Sequence, residues 1–389
     1  MTTVSESTSA GGPSPAGGGK VLAGRSLFGG RSFSDVALHS ASTACASAIL
    51  LMLVALVVVL FIAAAPSIKH FGFHFLVTSE WRPNPLPVLK LGANGKPIRD
   101  PITRMKVVDH YIPPNFGAVA SLYGTALTSA LALVLAVPLS LGAALFLVRV
   151  APGWMVAPVS FMVEFLAAIP SIAYGLWGMF VLGPWLGGDA RWIHFGFIPF
   201  PAGIEGWLSN ILRHVWGLRW LAEQNVNGVN VPISTTGRDI FIAGVVLGIM
   251  VIPIITAIGR DVLKNVPLAQ IEGSIALGAT WWQSCIEMVK FSRSALFGAV
   301  ILGLARAAGE TMAVLMVMGN SMTIPTSPFQ PGTTMAATLA GEFPEASTND
   351  LYRGALMEVA LILLIMSLAF NIVARYLVVG KSSRSAMAH

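Results

Sequence analysis

The sequence predicts an all-α polytopic membrane protein with six transmembrane helices. Hydrophobic residues make up 55% of its 389 residues and charged residues only 11%, and the mean hydropathy is +0.73. A soluble domain carries about 25% charged residues, so this composition excludes an ordinary soluble enzyme or binding domain. Six apolar runs are each long enough to cross a hydrocarbon layer of about 30 Å as a helix.

The apolar runs predict spans over residues 41–65, 116–148, 154–186, 240–258, 295–318 and 356–379. The first run is about 25 residues long and follows a leader of about 40, whereas the apolar core of a signal peptide has about 7–15 residues. We therefore expect a retained span and not a cleaved signal. Residues 1–40 are rich in Ser, Gly, Ala and Pro and predict a disordered tail.

Two long polar segments separate the spans. Residues 66–114 are rich in proline, which predicts a loop without a long helix. Within 187–238, apolar side chains recur at helical spacing and predict an amphipathic helix inside 203–221. Such a helix lies in the membrane interface or packs against the bundle, and the pattern is the same for both. After the fifth span a further loop contains Pro325, Pro328, Pro331 and Pro344. Residues 380–389 form a short basic tail.

The third run contains a predicted break. Pro170 follows Ile169 inside the run, where it removes a backbone donor and clashes with the preceding turn. Two helical segments that meet there expose backbone groups, which is tolerated only against protein or a water-filled cavity. Glu164, about one and a half turns earlier, is an ionisable residue at depth and a candidate for the lining of a solute path. The alternative is a carboxyl that a neighbouring backbone group satisfies or that stays protonated.

The segment between the fourth and fifth runs, 260–294, predicts a rigid polar hairpin. Asn265 is a candidate cap for a first helix with Pro267 in its first turn, and Gly278 can end that helix at positive φ. Thr280 and Gln283 have the spacing of a capping box, which starts a second helix at once. A compact helix–turn–helix held on membrane spans is suited to take a push from another protein.

The fifth run carries two charged residues near the middle of the membrane. Arg306 and Glu310 lie about 12 and 16 residues into the run, where an isolated charge costs about 2.5–3.5 kcal/mol. Their i, i+4 spacing predicts an ion pair on one face of a helix. Ala299, Gly303 and Ala307 form a small-residue strip beside that face, which lets another helix approach closely. The pair either lines a solute path or is a neutralised structural pair between helices.

Several functional classes lack support in the sequence. There is no G-x-x-x-x-G-K-[ST] phosphate-binding loop, so we do not expect the chain to hydrolyse a nucleotide. There is no zinc-type His/Cys spacing and no catalytic triad, and the net charge of +6 includes no basic run of nucleic-acid type. Cys45 falls in a span and Cys285 in the hairpin, so we expect no stabilising disulfide.

The distribution of positive charge does not determine how the chain is oriented in the membrane. With the predicted spans, 11 Lys and Arg residues lie on the membrane side that holds the two termini, and 12 lie on the opposite side.

The hairpin resembles the coupling loop of ABC importer permeases, which has the pattern E-A-A-x3-G-x9-I-x-L-P. Glu272 and Gly278 match this pattern, and Met288 stands in place of the isoleucine. Lys290 and Phe291 replace the Leu-Pro pair, so the exit angle of the loop does not follow from the resemblance.

Three further stretches resemble the C-type permease of the high-affinity phosphate (Pst) ABC importers. They are AIPSIAYGLWG at 168–178, LYGTALTS at 122–129 and LARAAGETMAV, followed by Met-Gly-Asn at 318–320. The similarity extends over about 81–379. The A-type sister subunit differs after the GET motif, which favours the C-type.

The resemblance implies a type I ABC importer permease bundle, with a permease core at 115–379 and no catalysis in this chain. ATP and magnesium are expected on two partner ATPase subunits, and no cofactor is expected here. Further expected partners are a sister A-type permease, an extracytoplasmic phosphate-binding protein, phosphate and membrane lipid, but no nucleic acid. The resemblance also implies a multi-pass protein of the bacterial cytoplasmic membrane with both termini cytoplasmic and with 66–114 and 187–238 outside.

The resemblance also assigns residues. Arg306 and Glu310 match the arginine and glutamate that the family associates with the phosphate path, and Thr311 and Glu164 are further candidates for it. The residues expected to couple the chain to the ATPases are Glu272, Gly273, Gly278, Ala279 and Trp282.

Three other functions stay open at this point. One is a permease for sulfate or molybdate on the same scaffold. A second is a secondary phosphate transporter driven by an ion gradient, for which the hairpin would have no purpose. The third is a structural or signalling subunit that reports phosphate status.

Overall fold

The structure, a computed structural model, describes residues 33–90, 106, 108–187, 192–195, 198–201, 203–214, 223–226, 229–232, 237–346 and 349–386. The chain divides into two units, Met1–Leu56 and Val57–His389. In the first unit, the described part is helical, and its side chains from residue 37 onward are exposed. That exposure, in a run this apolar, is typical of a helix surrounded by lipid.

The described residues form thirteen α-helices, in chain order α1 (Phe33–Phe71), α2 (Val119–Arg149), α3 (Gly153–Ala168), α4 (Ser171–Trp177), α5 (Gly183–Gly187), α6 (Ile204–His214), α7 (Ile240–Lys264), α8 (Leu268–Ala276), α9 (Trp281–Phe291), α10 (Arg293–Gly309), α11 (Met312–Val317), α12 (Met335–Ala346) and α13 (Asp350–Ala386). A 3-10 helix, Gly72–Leu76, follows α1, and a π-helical turn, Gly178–Leu182, joins α4 to α5.

Short antiparallel ribbons lie in and beside the two long polar segments. Each is two-stranded: β1 (Trp81–Arg82) pairs with β4 (Asn115–Phe116), β2 (Leu86–Leu89) with β3 (Val108–Ile112), β5 (Trp192–Phe195) with β6 (Ile198–Pro201), and β7 (Glu223–Val226) with β8 (Val229–Pro232). The β2–β3 ribbon has an irregularity between Val88 and Leu89. The all-α prediction is confirmed for the apolar part of the chain, since the ribbons are confined to its loops.

Four described helices are long and apolar enough to cross a membrane: α1, α2, α7 and α13. Two further pairs qualify only when both halves are taken together. One joins α3 to the segment 171–187 with a bend of 87°, and the other joins α9 to α10 with a bend of 68°. The predicted number of six spans is therefore reached only if each bent pair counts as one.

Helix α1 is longer at both ends than the sequence predicts. It begins at Phe33, so the prediction of a disordered tail is wrong for residues 33–40, and residues 1–32 lie outside the described residues. It also continues through Pro66 to Phe71, where a loop was predicted. Tertiary packing stabilises the segment beyond the proline, because Pro66 and Ser67 approach α13 closely at Gly354.

Three other boundaries differ from the prediction. Helix α7 continues to Lys264 instead of ending near 258, so Asn265 caps the C-terminus of α7 and does not begin the hairpin helix. Helix α12 lies in a predicted loop and contains Pro344. The amphipathic helix within 203–221 is confirmed over Ile204–His214, and the remainder of that range after His214 lies outside the described residues.

The core of the second unit is the contact between α2 and α7. Apart from Leu147 near its end, the buried face of α2 consists of small and hydroxyl residues (Ala120, Ser121, Gly124, Thr125, Thr128, Ser129, Ala132, Ala136, Ser140 and Ala144). Ser140 donates a hydrogen bond of 3.1 Å to the Ile252 carbonyl oxygen of α7. At the other end of α2, the Thr125 hydroxyl accepts a hydrogen bond of 2.9 Å from the Met335 amide at the start of α12. Small residues let membrane helices approach closely enough for such bonds.

This packing predicts opposite effects for two glycines of α2. A Cβ on Gly124 would lie 2.0 Å from the backbone oxygen of Thr333, whereas a Cβ on Gly142 would meet nothing within 4 Å. We expect Gly124→Ala to destabilise the fold by about 1–3 kcal/mol, because the backbone must shift. We expect Gly142→Ala to be neutral or stabilising by up to about 1 kcal/mol, because alanine favours the helix. Thermal unfolding of both variants in detergent is the measurement, and equal unfolding temperatures would contradict the packing of α2.

Candidate substrate path and coupling hairpin

Two of the apolar runs are broken inside their length. Ile169 and Pro170, with ψ angles of 130° and 138°, are extended and separate α3 from α4, and the segment 171–187 turns away from α3 by 87°. Glu310, with a ψ angle of 130°, and Thr311 separate α10 from α11. The predicted break at Pro170 is confirmed, whereas the second break was not predicted.

The short helices that follow the breaks pack directly against each other. A Cβ on Gly175 of α4 would lie only 2.9 Å from the Cα of Ala313 in α11. One turn further on, a Cβ on Gly178 would lie 2.8 Å from methyl carbons of Val317 in α11 and of Val246 in α7. The two backbones are therefore in contact, and only glycine fits at these positions. The contact brings the two broken spans together in one core cluster with α7.

Tyr174 links the two sides of the first break. Its hydroxyl donates a hydrogen bond of 2.8 Å to the carbonyl oxygen of Leu166, in the last turn of α3. The same carbonyl also accepts a longer bond of 3.4 Å from the Ile169 amide, so the Tyr174 hydroxyl adds a second donor at the end of α3. The Tyr174 ring is buried, and the guanidinium of Arg306 is close enough to interact with the hydroxyl electrostatically. Arg306 on α10 thus lies in the neighbourhood of the break in the other span.

The predicted ion pair between Arg306 and Glu310 is wrong. The i, i+4 argument requires a continuous helix, but α10 ends at Gly309 and Glu310 has extended backbone angles. Among the described residues, no carboxylate lies within 4 Å of Arg306, which is exposed at the surface of this chain. Glu310 and Thr311 are half-buried at the break, and the Thr311 hydroxyl donates a hydrogen bond of 3.3 Å to the Gly309 carbonyl.

The small-residue strip beside Arg306 is confirmed. Ala299, Gly303 and Ala307 are buried, and a Cβ on Gly303 would lie 2.7 Å from Val251 and 2.8 Å from Ile255 of α7. The strip therefore faces α7, and the Arg306 side chain lies exposed beside it.

Glu164 has an arginine partner, which the sequence did not suggest. Its carboxylate lies 3.5 Å from the guanidinium of Arg260, which also pairs with Asp261 at 3.1 Å. Arg260 belongs to the last two turns of α7, next to the hairpin. The Glu164 side chain is 59% exposed, so the pair joins α3 to α7 at their surface. Its role in a solute path stays a prediction.

Apart from the start of α8, where Pro267 is the N-cap, the hairpin has the local structure that its sequence predicts. Gly278 ends α8 with a φ angle of +86°, a conformation that costs a residue with a Cβ about 1–2 kcal/mol. Both bonds of the capping box are present: Gln283 N–H donates to the Thr280 hydroxyl at 3.4 Å, and Thr280 N–H donates to the Gln283 side chain at 2.8 Å. After α9 the chain turns by 68° into α10 at Ser292, so the exit angle does not require a proline.

One side of the hairpin is fastened to the bundle by an apolar cluster. Its buried members come from α2, α7, α8, α9, α10 and the α7–α8 connection: Ala144, Leu263, Val266, Ile271, Met288 and Leu296. The opposite side is exposed and includes four of the predicted coupling residues, Glu272, Gly273, Gly278 and Trp282, while Ala279 is half-buried. Large apolar side chains share this exposed side, with Leu277 at 92% and Trp282 at 59% exposure. A polar-edged apolar face of this kind is suited to a protein partner.

Sequence reasoning missed two buried acidic sites. Glu358 of α13 is buried and accepts a hydrogen bond of 2.6 Å from Ser67 of α1. Glu358 lies in the sixth predicted span. The rule that an ionisable residue inside a span is a candidate functional residue, which singled out Glu310, would therefore also have found it. Glu205 and Asp239 are both fully buried, but each lies in a polar segment where a carboxylate is ordinary. No three His, Cys, Asp or Glu side chains gather as a metal site requires in the part of the chain that the structure describes.

Comparison with known proteins places this architecture in a family, although no family model matches the chain. The phosphate transport system permease protein PstC of Mesorhizobium japonicum is 33% identical over 353 residues, which cover 90% of this chain and 92% of the relative. The PstC of Haemophilus influenzae is 36% identical, with 85% of this chain and 88% of the relative covered. The chain belongs to the PstC family.

A third PstC-family relative, PstC 1 of Mycobacterium tuberculosis, is 33% identical and covers 84% of this chain and 87% of the relative. Membership confirms the resemblance drawn from the GET and IPSIAYGLWG stretches. One chain of a solved inward-facing MetNI methionine ABC transporter is 16% identical, covers 67% of this chain and 94% of its own, and has a TM-score of 0.41. That score is too low to support a conclusion. In this PstC-family chain, the stretches that carry the resemblance form the two breaks, the hairpin and part of α2.

Proposed function

We propose that this chain is the permease subunit of an ATP-driven importer that moves inorganic phosphate into the cell by alternating access. The full-length similarity to phosphate transport system permeases supports phosphate as the solute. The observation that carries the mechanism is Arg306: a guanidinium beside two broken spans, with no carboxylate in reach among the described residues. An uncompensated cation at depth is costly, and a passing anion compensates it.

The proposed path runs along the two breaks. Arg306 would give phosphate charge-assisted, bidentate hydrogen bonds, which its planar guanidinium is shaped to form. Glu310 and Thr311 stand at the second break, and the Glu310 carboxylate would keep the anion from being held too tightly, since conduction needs release as well as binding. Glu164 supports the path less directly, because its carboxylate already pairs with Arg260.

The hairpin supports the coupling part of the proposal. Its exposed face, with Glu272, Gly273 and Trp282, would dock on an ATPase subunit, and the apolar cluster on its other face would pass a displacement to α7 and α10. Those two helices pack on each other along the strip that includes Gly303. A push on the hairpin would in this way reach the break next to Arg306.

The remaining partners follow from the same proposal. A sister A-type permease would complete the membrane part, two ATPase subunits would bind ATP and magnesium, and an extracytoplasmic binding protein would deliver phosphate. The hairpin would then face the cytoplasm, with both termini on that side, and membrane lipid would surround the bundle. This chain itself would hold no cofactor and catalyse no reaction.

The test is phosphate uptake by the complete complex in proteoliposomes. We expect uptake of radiolabelled phosphate to require ATP on the hairpin side and the binding protein on the other, and to resist a tenfold excess of sulfate or molybdate. Uptake that an ion gradient drives without ATP would instead identify a secondary transporter. Equal competition by sulfate or molybdate would assign a different oxyanion. A complex that moves no phosphate but reports its presence would be a signalling subunit.

A further inference from the structure

Two carboxyl groups that have no cationic partner among the described residues meet where α6 joins the start of α7. Glu205 is the second residue of α6, and Asp239 is the residue immediately before α7. Both are fully buried, although each lies in a polar stretch of sequence. Acidic residues are almost never fully buried unless they are paired, so this position calls for a specific arrangement.

The backbone around the two groups is packed tightly enough to exclude bulk water. A Cβ on Gly187 would lie 2.6 Å from Glu205 Oε2 and 2.5 Å from the Gly237 amide nitrogen. The Gly203 amide donates a hydrogen bond of 2.9 Å to the Trp185 carbonyl, which fixes the start of α6 on α5. The site is therefore a closed junction of α5, α6 and the entrance to α7.

Hydrogen bonding leaves most of the carboxylate oxygens unsatisfied. Asp239 Oδ1 caps α7 by accepting from the Ile242 amide at 3.0 Å. Asp239 Oδ2 and both oxygens of Glu205 have no N–H or O–H donor among the described residues. The two side chains are within hydrogen-bonding reach of each other. Among the described residues, a proton held between them is the donor that remains for these oxygens.

The described neighbouring elements supply no compensating charge. Helix α5 and the loop 319–332, which bonds the start of α7 through the Gln330 carbonyl, contain no charged residue. Arg238 is adjacent in sequence, but its side chain is exposed. On α6, Arg213 and His214 are about 12 Å further along the helix. Two carboxylates this close cannot both be ionised in a buried site.

The ionisation of the pair follows from its burial. Burial, with added repulsion from Asp239, raises the pKa of Glu205 to about 9. Burial also raises the pKa of Asp239, to about 6, although the Ile242 amide opposes this. A carboxyl whose pKa is raised in the folded state stabilises that state at low pH and loses the contribution as the pH rises through the raised value. Between about pH 6 and pH 9 the pair therefore holds one proton.

We propose that Glu205 and Asp239 share this proton and thereby fasten α6 to the start of α7. An alkaline solution on the side of the membrane where α7 starts then releases α6. Loss of the last proton leaves two buried carboxylates that repel each other, and α6, which is partly exposed, is the element that can move away. With the orientation proposed above, the side in question is the outside of the cell. The release itself does not depend on the identity of the solute.

A nitroxide spin label on Gly206→Cys tests the proposal. Gly206 is exposed next to Glu205, and a Cβ there meets nothing within 4 Å. The label is placed on the complete complex in nanodiscs, with Cys45 and Cys285 replaced by alanine, and its mobility is followed from pH 5 to pH 10. We expect an immobile label up to about pH 8 and a transition to a mobile one with a midpoint near pH 9.

Two variants separate this mechanism from general unfolding at high pH. Glu205→Gln keeps the size of the side chain and cannot ionise, so its label should stay immobile over the whole range. Asp239→Asn keeps the oxygen that caps α7 but removes one charge, so the midpoint should fall by about one unit. The proposal is overturned if the wild-type label shows no transition, if Glu205→Gln shows the same one, or if the midpoint of Asp239→Asn is unchanged. These readouts contain no transport step, so they stand or fall separately from phosphate import.

Discussion

Replacing Arg306 by alanine should reduce ATP-dependent phosphate uptake by at least about tenfold, because hydrogen bonds to a charged group contribute about 1.5–3 kcal/mol each. Arg306 lies beside both broken spans and has no carboxylate partner among the described residues, so its removal takes away the positive charge without exposing a buried negative one. Arg306→Lys keeps the charge but loses the planar fork, and its uptake should fall between alanine and wild type. Initial uptake rates in proteoliposomes are the measurement.

The matched control for this experiment is Arg353→Ala. Arg353 is also an exposed arginine at a membrane helix, but it lies at the start of α13 and pairs with Asp350 at 2.8 Å. Its loss should leave uptake within about twofold of wild type, as surface ion pairs contribute little. Near-normal uptake by Arg306→Ala would remove this residue from the path and reduce it to a structural role.

The second large effect is expected at the hairpin, where Gly273→Phe should abolish binding of the ATPase subunits. A Cβ on Gly273 meets nothing within 4 Å, so a large side chain is accommodated by the chain itself. It would project from the exposed face of α8 into the space that a docked partner occupies. Because glycine is a poor helix former, the substitution should leave the unfolding temperature of the isolated chain unchanged or slightly higher.

Co-purification of the ATPase subunits measures this effect, with Gly273→Ala as the control. Alanine adds only a methyl group, and we expect it to retain the partner. Gly278 is a less suitable position, since its φ angle of +86° strains any other residue and would mix folding with docking. Retention of the ATPases by Gly273→Phe would show that the partner docks elsewhere.

Local signals in the sequence predicted the hairpin and the first break well. Proline at 170, glycine at 278 and the Thr280–Gln283 spacing act through neighbouring backbone atoms, so their effect is contained in a few residues. The second break has no such signal. Glu310 becomes extended where α11 packs on α4, a contact between residues far apart in the sequence, and this packing is what separates Glu310 from Arg306.

Long-range contacts also explain the other errors. Pro66 ends most helices, but here the backbone beyond it is packed against Gly354 of α13, so α1 continues. The acidic pair could not be predicted either, because Glu205 and Asp239 are 34 positions apart in a polar segment and meet only after folding. Sequence reasoning assigned Arg306 a partner, Glu310, that lies beyond the end of α10 in the folded chain, and the role of Arg306 in the solute path stays a prediction.

The apolar cluster under the hairpin has a mechanical consequence. Side chains from five helices pack together there, among them Leu263, Met288 and Leu296. Packed protein interiors in general have the density of an organic crystal and a low compressibility. A force on the exposed face of the hairpin would therefore be transmitted through a rigid cluster to the membrane helices. In the proposed importer, the rigidity of this cluster would set how much of the partner's movement reaches the membrane helices, and smaller side chains in it would weaken that transmission without changing the residues proposed to contact the solute.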